Sequence, residues 1–278
     1  MELADTRIAI LGAGNIGGAI GRGLAESHLL PAGQIVLTRR KKESLAGFDR
    51  LGFRTTTNNG DAIKDSDILF LAVTPQQLNP LLAAIRGFVD EERHTVVSLV
   101  SGVTIAELRK HLGSRVATCR AMPNMAIAIR QSMTCLAAEP GAEGSLAIVK
   151  QVFDGLGRTL VISEELMVPA TALCACGVAF FLRAIRAASQ GGIEIGFHAE
   201  EALLMSAQTA LGAASLLSRP GNHPESEVDK VTTPQGCTIS GLNQMEHNGF
   251  SSALIKGIVT SAEKAEALYK PKTKHPAQ

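Results

Sequence analysis

From Arg7 to Ile162, short apolar runs alternate with amphipathic stretches, and that alternation constrains the fold more than any other feature of the chain. Arg7–Leu11, Ile35–Leu37, Ile68–Val73, Val96–Leu99 and Val116–Cys119 read as strands, whereas Ile16–Ala25, Gln76–Val89 and Ile105–Leu112 carry apolar residues at helical spacing. Strand–helix–strand succession requires crossover connections, and crossovers build a parallel sheet. Most of these runs lack strict polar alternation, as expected of strands with helices on both faces. Met133–Ala137, a helix over Ser145–Leu156 and a strand over Thr159–Ile162 are expected to complete the sheet.

After Ser163 only helical patterns remain. Leu166–Leu182 is uncharged and includes Pro169 and Gly177. It falls short of the roughly 20 residues a membrane span needs, so the expectation is a helix covered on nearly all sides by protein. Ala199–Leu217 repeats small residues (Ala207, Ala210, Gly212, Ala213, Ala214) that permit very close helix packing. Ser251–Leu268 reads as the last amphipathic helix and Lys270–Gln278 as a disordered tail. Such apolar helices carry more apolar surface than they can bury alone, which implies dimerisation. The expected plan is therefore α/β: residues 1–163 form a dinucleotide-binding, Rossmann-type doubly wound domain. Residues 164–278 form an all-helical dimerisation and substrate domain.

With 27 basic against 26 acidic residues the net charge is +1, which argues against a nucleic-acid or membrane-surface partner. Nine Phe, one Tyr and no Trp leave little for stacking bases. The five cysteines (119, 135, 174, 176, 237) are odd in number, and acidic Glu2 and Asp5 stand where a secretory leader would be basic. A reducing, cytoplasmic setting is expected. Cys174-x-Cys176 is not CxxC, and residues two apart do not share a helix face, so these read as small buried side chains. No histidine falls in a motif, and no metal site is expected.

Two Gly-rich turns suit anions. Gly12-Ala13-Gly14-Asn15-Ile16-Gly17 follows a strand and opens a helix, the context that makes it a dinucleotide fingerprint. Gly12 allows the tight turn, Gly14 lets the pyrophosphate approach the backbone and Gly17 lets helix and strand pack. The alternative is that these glycines serve helix packing alone. A binder of the ribose 2′-hydroxyl should carry an acid at the end of the second strand, but this chain has Thr38-Arg39-Arg40-Lys41. A hydroxyl and guanidinium groups suit a 2′-phosphate, favouring NADPH over NADH; the alternative is a solvated basic turn. Ala72, Val73, Thr74, Pro75 and Ser101 end later strands and should line the nicotinamide side.

The second turn, Val231-Thr232-Thr233-Pro234-Gln235-Gly236-Cys237-Thr238, leads into a helical pattern ended by Asn248-Gly249. Free amides at a helix N-terminus, with a hydroxyl among them, bind a carboxylate without Arg or Lys.

Together these residues resemble the pyrroline-5-carboxylate reductases. The likeness extends over Ala72-Val73-x-Pro75, Arg120-x-Met122-Pro123-Asn124, Gln208-Thr209-x-x-Gly212-Ala213-Ala214 and the Val231–Thr238 loop, nearly the whole chain. The resemblance implies NADPH-dependent reduction of 1-pyrroline-5-carboxylate to L-proline, the last step of proline biosynthesis, in a cytoplasmic homodimer or a higher assembly of dimers. It places Thr238 near the imine as the catalytic hydroxyl, Asn59 near the cofactor's adenosine end, and Asn124, Gln235, Gly236, Cys237 and Thr238 around the substrate. In the implied dimer each active site combines a nucleotide domain with the helical domain of its own or its neighbour's chain. Departures from the family pattern are Thr74 for a Lys, Gln235 for a Gly, Met125-Ala126 for Thr-Pro, and Cys174-Ala175-Cys176-Gly177-Val178-Ala179-Phe180 for Ser-Gly-Ser-Gly-Pro-Ala-Tyr.

A cyclic imine bearing a carboxylate asks the protein for proximity and one hydrogen bond to the ring nitrogen. Thr238 is the candidate donor; helix N-cap is its alternative role. Three rivals remain: a β-hydroxyacid dehydrogenase, another imine reductase acting on piperideine carboxylate, and a non-catalytic NADP-binding regulator. The first needs a Lys early in the second domain, and no lysine lies between Lys150 and Lys230. The intact substrate-type loop weighs against the regulator.

Overall fold

A computed structural model describes residues 3–218 and 221–268. Two compact units divide them, residues 3–176 with 261–268 in one and Gly177–Thr260 in the other.

The first unit is built on eight strands: β1 (Ile8–Leu11), β2 (Ile35–Thr38), β3 (Arg54–Thr56), β4 (Ile68–Leu71), β5 (Thr95–Ser98), β6 (Ala117–Met122), β7 (Ser132–Ala138) and β8 (Gly157–Val161). Their order is β3-β2-β1-β4-β5-β6-β7-β8, and every pairing is parallel except β6 with β7. The exception follows from chain length: only residues 123–131 join those two strands, too few for a crossover helix. The helices are α1 (Asn15–Glu26), α2 (Ala46–Asp49), α3 (Asn59–Lys64), α4 (Pro75–Ile85), α5 (Ile105–Leu112), α6 (Glu143–Asp154) and α7 (Met167–Ala170).

Strands β1, β2, β4 and β5 are buried at every residue, which is why their sequences do not alternate. Successive side chains enter opposite layers. Ile8, Ile10, Leu37, Phe70 and Val97 join Ile20 and Leu24 of α1 and Val149 and Phe153 of α6 on one face. Ala9, Leu11, Val36, Leu69 and Val96 join Ile63, Leu78, Leu82 and Leu108 on the other. Phe70 and Phe153 meet edge to face, ring centroids 5.7 Å apart. Each fully buried Leu, Ile or Phe contributes about 1.5–3 kcal/mol, so both faces stabilise the doubly wound sheet. Strand β3 lies outside the expected runs because it is a short, partly exposed edge strand of Arg-Thr-Thr.

The uncharged segment departs from expectation. α7 continues into a π-helical turn, Thr171–Cys176, and then α8 (Gly177–Glu194). Glu164–Glu194 is one helical run of 31 residues, long and apolar enough to cross a membrane, and only 28% of its apolar window is buried by its own chain. Leu173, Phe181 and Leu182 are exposed. The helix is not covered on nearly all sides within one chain, because a single copy has too few helices to cover it.

The second unit also holds α9 (Ala199–Leu217), α10 (Pro224–Val231), α11 (Cys237–His247) and most of α12 (Phe250–Glu266). α8 packs on α9 through small residues: a methyl group added at Gly192 would stand 2.9 Å from Ala202 Cβ. Beyond that seam apolar surface dominates, with Phe181, Ile195, Leu204, Leu211, Ile255 and Val259 all exposed. The expected tail, Lys270–Gln278, lies outside the described residues.

Candidate active site

Strand register aligns Leu11 with Thr38 on one side and with Leu71 on the other, and Leu71 with Ser98. The carboxyl ends of β1, β2, β4 and β5 therefore stop in one row. Strand order reverses between β1 and β4, where an open α/β sheet leaves its ligand crevice. Gly12, Arg39 and Ala72 each stand one residue past that row.

Gly12 has φ +107°, a conformation L side chains rarely adopt, and a Cβ there would lie 2.5 Å from the Ala72 carbonyl oxygen and 2.9 Å from Val73 Cγ1. A Cβ at Gly17 would meet the Gly12 carbonyl at 2.3 Å. Both glycines are required by backbone contact, and they bring Ala72 and Val73 against the turn. Gly14 has nothing within 4 Å of a Cβ position. Its neighbours Asn15, Ile16 and Gly17 open α1 with no side-chain cap, and the first helical bond runs from Gly18 N–H to the Gly14 carbonyl at 2.9 Å. Open space beside three helix N-terminal amides that have no partner among the described residues fits a dinucleotide pyrophosphate.

Thr38 is buried, and its hydroxyl donates to Asn59 Oδ1 at 2.7 Å while accepting the Gly12 N–H at 3.3 Å. This corrects the expectation of a hydroxyl free for the 2′-phosphate. Thr38 instead fixes the turn and draws Asn59 to it, because a buried hydroxyl must find partners inside the protein. Arg39 is half-buried and Arg40 exposed, and among the described residues neither guanidinium has a carboxylate partner. Both guanidiniums are available to an anion at this end of the crevice.

Thr74 precedes α4 with Pro75 at its first position, and Gln77 Oε1 accepts the Thr74 N–H at 3.3 Å. Ser101 follows β5, with Oγ 4.0 Å from Met122 Sδ. Asn124 is buried. Its N–H donates to Ser132 Oγ at 3.1 Å, its Oδ1 accepts the Ala126 N–H at 3.0 Å and its Nδ2 donates to the Cys174 carbonyl at 3.3 Å. The Asn124 carboxamide is thus largely engaged in holding the chain's own backbone, and one amide hydrogen remains for a ligand. Close by, Glu164 Oε1 accepts from the Ile105 N–H at 2.6 Å and from Arg120 Nη1 at 3.3 Å, so the Arg of the Arg-x-Met-Pro-Asn motif anchors the start of the long helix.

In the second unit, Gly236 caps α11 through its backbone, Cys237 and Thr238 are the first helical residues, and no side chain caps the end. Thr238 is therefore not the N-cap, which removes its alternative role. Its hydroxyl is exposed and makes no hydrogen bond among the described residues. The Gly236 N–H closes a turn onto the Thr233 carbonyl at 3.0 Å, while the amides of Cys237 and Thr238 have no partner among the described residues. Gln235 has φ +59°, which explains the glycine the family pattern carries there.

Residues 164–268 match the family described as pyrroline-5-carboxylate reductase dimerisation, and residues 7–102 match NADP oxidoreductase, coenzyme F420-dependent. Pyrroline-5-carboxylate reductase 1 of Dictyostelium discoideum is 52% identical over 98% of this chain, which spans 51% of that protein. Pyrroline-5-carboxylate reductase 2 of the same organism is 48% identical over 94% of this chain and 92% of its own length. The chain belongs to the pyrroline-5-carboxylate reductase family. It spans about half the length of the first relative and nearly all of the second. The fold agrees: the crystal structure of a Plasmodium falciparum pyrroline carboxylate reductase with NADP bound superposes with TM-score 0.88 at 20% identity, covering 97% of this chain and 100% of that one. Within this reductase family, the helical segment 164–268 is the dimerisation region.

Proposed function

We propose that this chain reduces 1-pyrroline-5-carboxylate to L-proline as a homodimer joined through its helical unit, in a reducing, cytoplasmic setting. The observation that carries the reading is the uncapped start of α11, where two free amides and the Thr238 hydroxyl stand together. The cofactor supported by the free Arg39 and Arg40 guanidiniums and by the Asn15–Gly17 amides is NADPH, which supplies the hydride when bound.

The residues' tasks follow from their chemistry. The amides of Cys237 and Thr238 hold the substrate carboxylate, helped by the positive end of the α11 dipole. The Thr238 hydroxyl bonds the ring nitrogen as the iminium becomes an amine. Gln235, held in the left-handed conformation, shapes the turn that presents these amides. Ala72, Val73, Thr74, Pro75 and Ser101, past the ends of β4 and β5, border the nicotinamide. The Arg39 and Arg40 guanidiniums bind the 2′-phosphate through charge-assisted bonds.

Turnover of pyrroline and piperideine carboxylates, each with NADPH and NADH, tests the reading. Faster turnover of the five-membered ring with NADPH is expected. Cofactor binding without oxidation by either imine would leave a non-catalytic binder and sink the proposal.

A further inference from the structure

Cys135 and Cys174 are 39 residues apart in sequence, yet their sulfurs lie 3.9 Å apart. Cys135 sits in the middle of β7, in a small buried cluster with Met122, Ala137, Met167 and Ala170. Cys174 belongs to the π-helical turn Thr171–Cys176 packed on that cluster, and it is half-buried where Cys135 is fully buried. Both thiols are free.

We propose that Cys135 and Cys174 form a reversible intramolecular disulfide, making this pair a thiol-modification site that loosens Asn124 when it closes. Three observations carry it. The sulfurs are in contact and need roughly 2 Å more approach to reach bonding distance, within reach of side-chain rotations and a small backbone shift. The two cysteines are unequal within one chain: Cys174 is half-buried, while Cys135 is fully buried and serves as the resolving thiol. The protonation states suit the order of events, since a hydrogen bond from the Cys135 thiol lowers Cys174 to about 7, whereas Cys135 is pushed up by that hydrogen bond and by burial.

The oxidant is a low-molecular-weight disulfide such as oxidised glutathione. The Cys174 thiolate attacks one of its sulfurs, forming a mixed disulfide and releasing one glutathione thiolate, which takes a proton. Cys135 then loses its proton, and its sulfur displaces the second glutathione thiolate from Cys174. Two protein thiols are oxidised and one small disulfide is reduced to two thiols. In a reducing compartment the pair rests as dithiol and closes under oxidative load.

The consequence reaches Asn124, because its Nδ2 donates to the carbonyl of Cys174 itself. Drawing Cys174 toward β7 displaces that carbonyl and releases the Asn124 side chain, which also holds the turn beginning at Met125.

The central test uses the full wild-type chain, so its outcome depends on no substitution folding. After native incubation with oxidised glutathione, free thiols are counted and unreduced peptides are mapped by mass. A linked peptide pair containing Cys135 and Cys174, lighter by two hydrogens, with two thiols lost and restored by dithiothreitol, is the expected result. Cys176→Ser should behave like wild type and Cys135→Ser should stop at the Cys174–glutathione adduct. A lasting adduct on wild-type Cys174 with Cys135 free, a bond from Cys174 to Cys176 or to a second chain, or five unchanged thiols would overturn the proposal. These masses do not depend on the catalytic reading, so the two can fail separately. Where turnover is measurable, the crosslinked form should lose activity that reductant restores; unchanged turnover would overturn the link to Asn124.

Discussion

Thr38 and Asn59, on different elements of the sheet domain, are joined by a 2.7 Å hydrogen bond from hydroxyl to carboxamide oxygen, and the same hydroxyl receives the Gly12 N–H. One buried atom thereby sets the distance between the end of β2, the start of α3 and the glycine turn. Thr38→Val keeps the shape and orphans both partners, so stability should fall by about 1–3 kcal/mol. NADPH and NADH should weaken together, because the turn they share is loosened. Urea unfolding with cofactor titrations checks this; selective loss of NADPH would return Thr38 to the phosphate itself.

Arg39 and Arg40 should behave in the opposite way. Replacing both with Ala should weaken NADPH by roughly 1.5–3 kcal/mol through lost charge-assisted bonds while sparing NADH. Fluorescence titration of both cofactors reads this directly, and equal weakening would make the basic turn a solvated surface.

The exposed apolar surface of the helical unit predicts assembly. With Phe181, Leu204, Leu211, Ile255 and Val259 uncovered in one chain, the protein should be at least a dimer wherever it is folded. Sedimentation that found a stable folded monomer would defeat this. Leu204→Lys and Ile255→Lys together should lower the association constant and the melting temperature in step.

Thr238→Val removes a hydroxyl and keeps the helix amides. With its capping role excluded by the geometry of α11, kcat should fall roughly ten- to a thousandfold, about 1.4–4 kcal/mol of transition-state stabilisation, with melting temperature unchanged. KM should move less, since the carboxylate still meets the helix N-terminus. Unchanged kcat would show that the hydroxyl does not touch the reacting nitrogen.

His94 makes stability depend on pH. It is buried, its Nδ1 accepts the Asp90 N–H at 2.8 Å, and burial first, then the Arg93 charge, lower its pKa below the ordinary value of 6.5. The folded state therefore resists a proton that the unfolded chain accepts. The contribution is complete above pH ~6.5 and is lost as the pH falls from there through the depressed folded pKa. Urea midpoints measured from pH 8 to 5 should drop across that window, and His94→Gln should flatten the drop; an unaltered slope in the variant would assign it elsewhere.

The sheet and the cofactor turn were legible in the sequence because both depend on local chemistry. Continuous apolar runs mark strands buried on two faces, and Gly12 and Gly17 are the residues whose extra carbon would strike backbone. The α11 turn was equally local, being a string of amides with no side chain to cap them. What the tertiary structure decided depends on which groups meet across distance. Thr38 serves as a brace because Asn59, 21 residues on, accepts its hydroxyl hydrogen bond. Thr238 lost its capping role when the helix began two residues earlier than a Thr238 cap requires. Short polar β3 carried no periodic signal and exists only because β2 offers an edge. Cys174, read beside Cys176, found its partner in Cys135 through the packing of a π turn on β7. Sequence patterning reports each residue's relation to solvent and to its chain neighbours; pairings between remote buried groups arise from the packed core and are written in no local pattern.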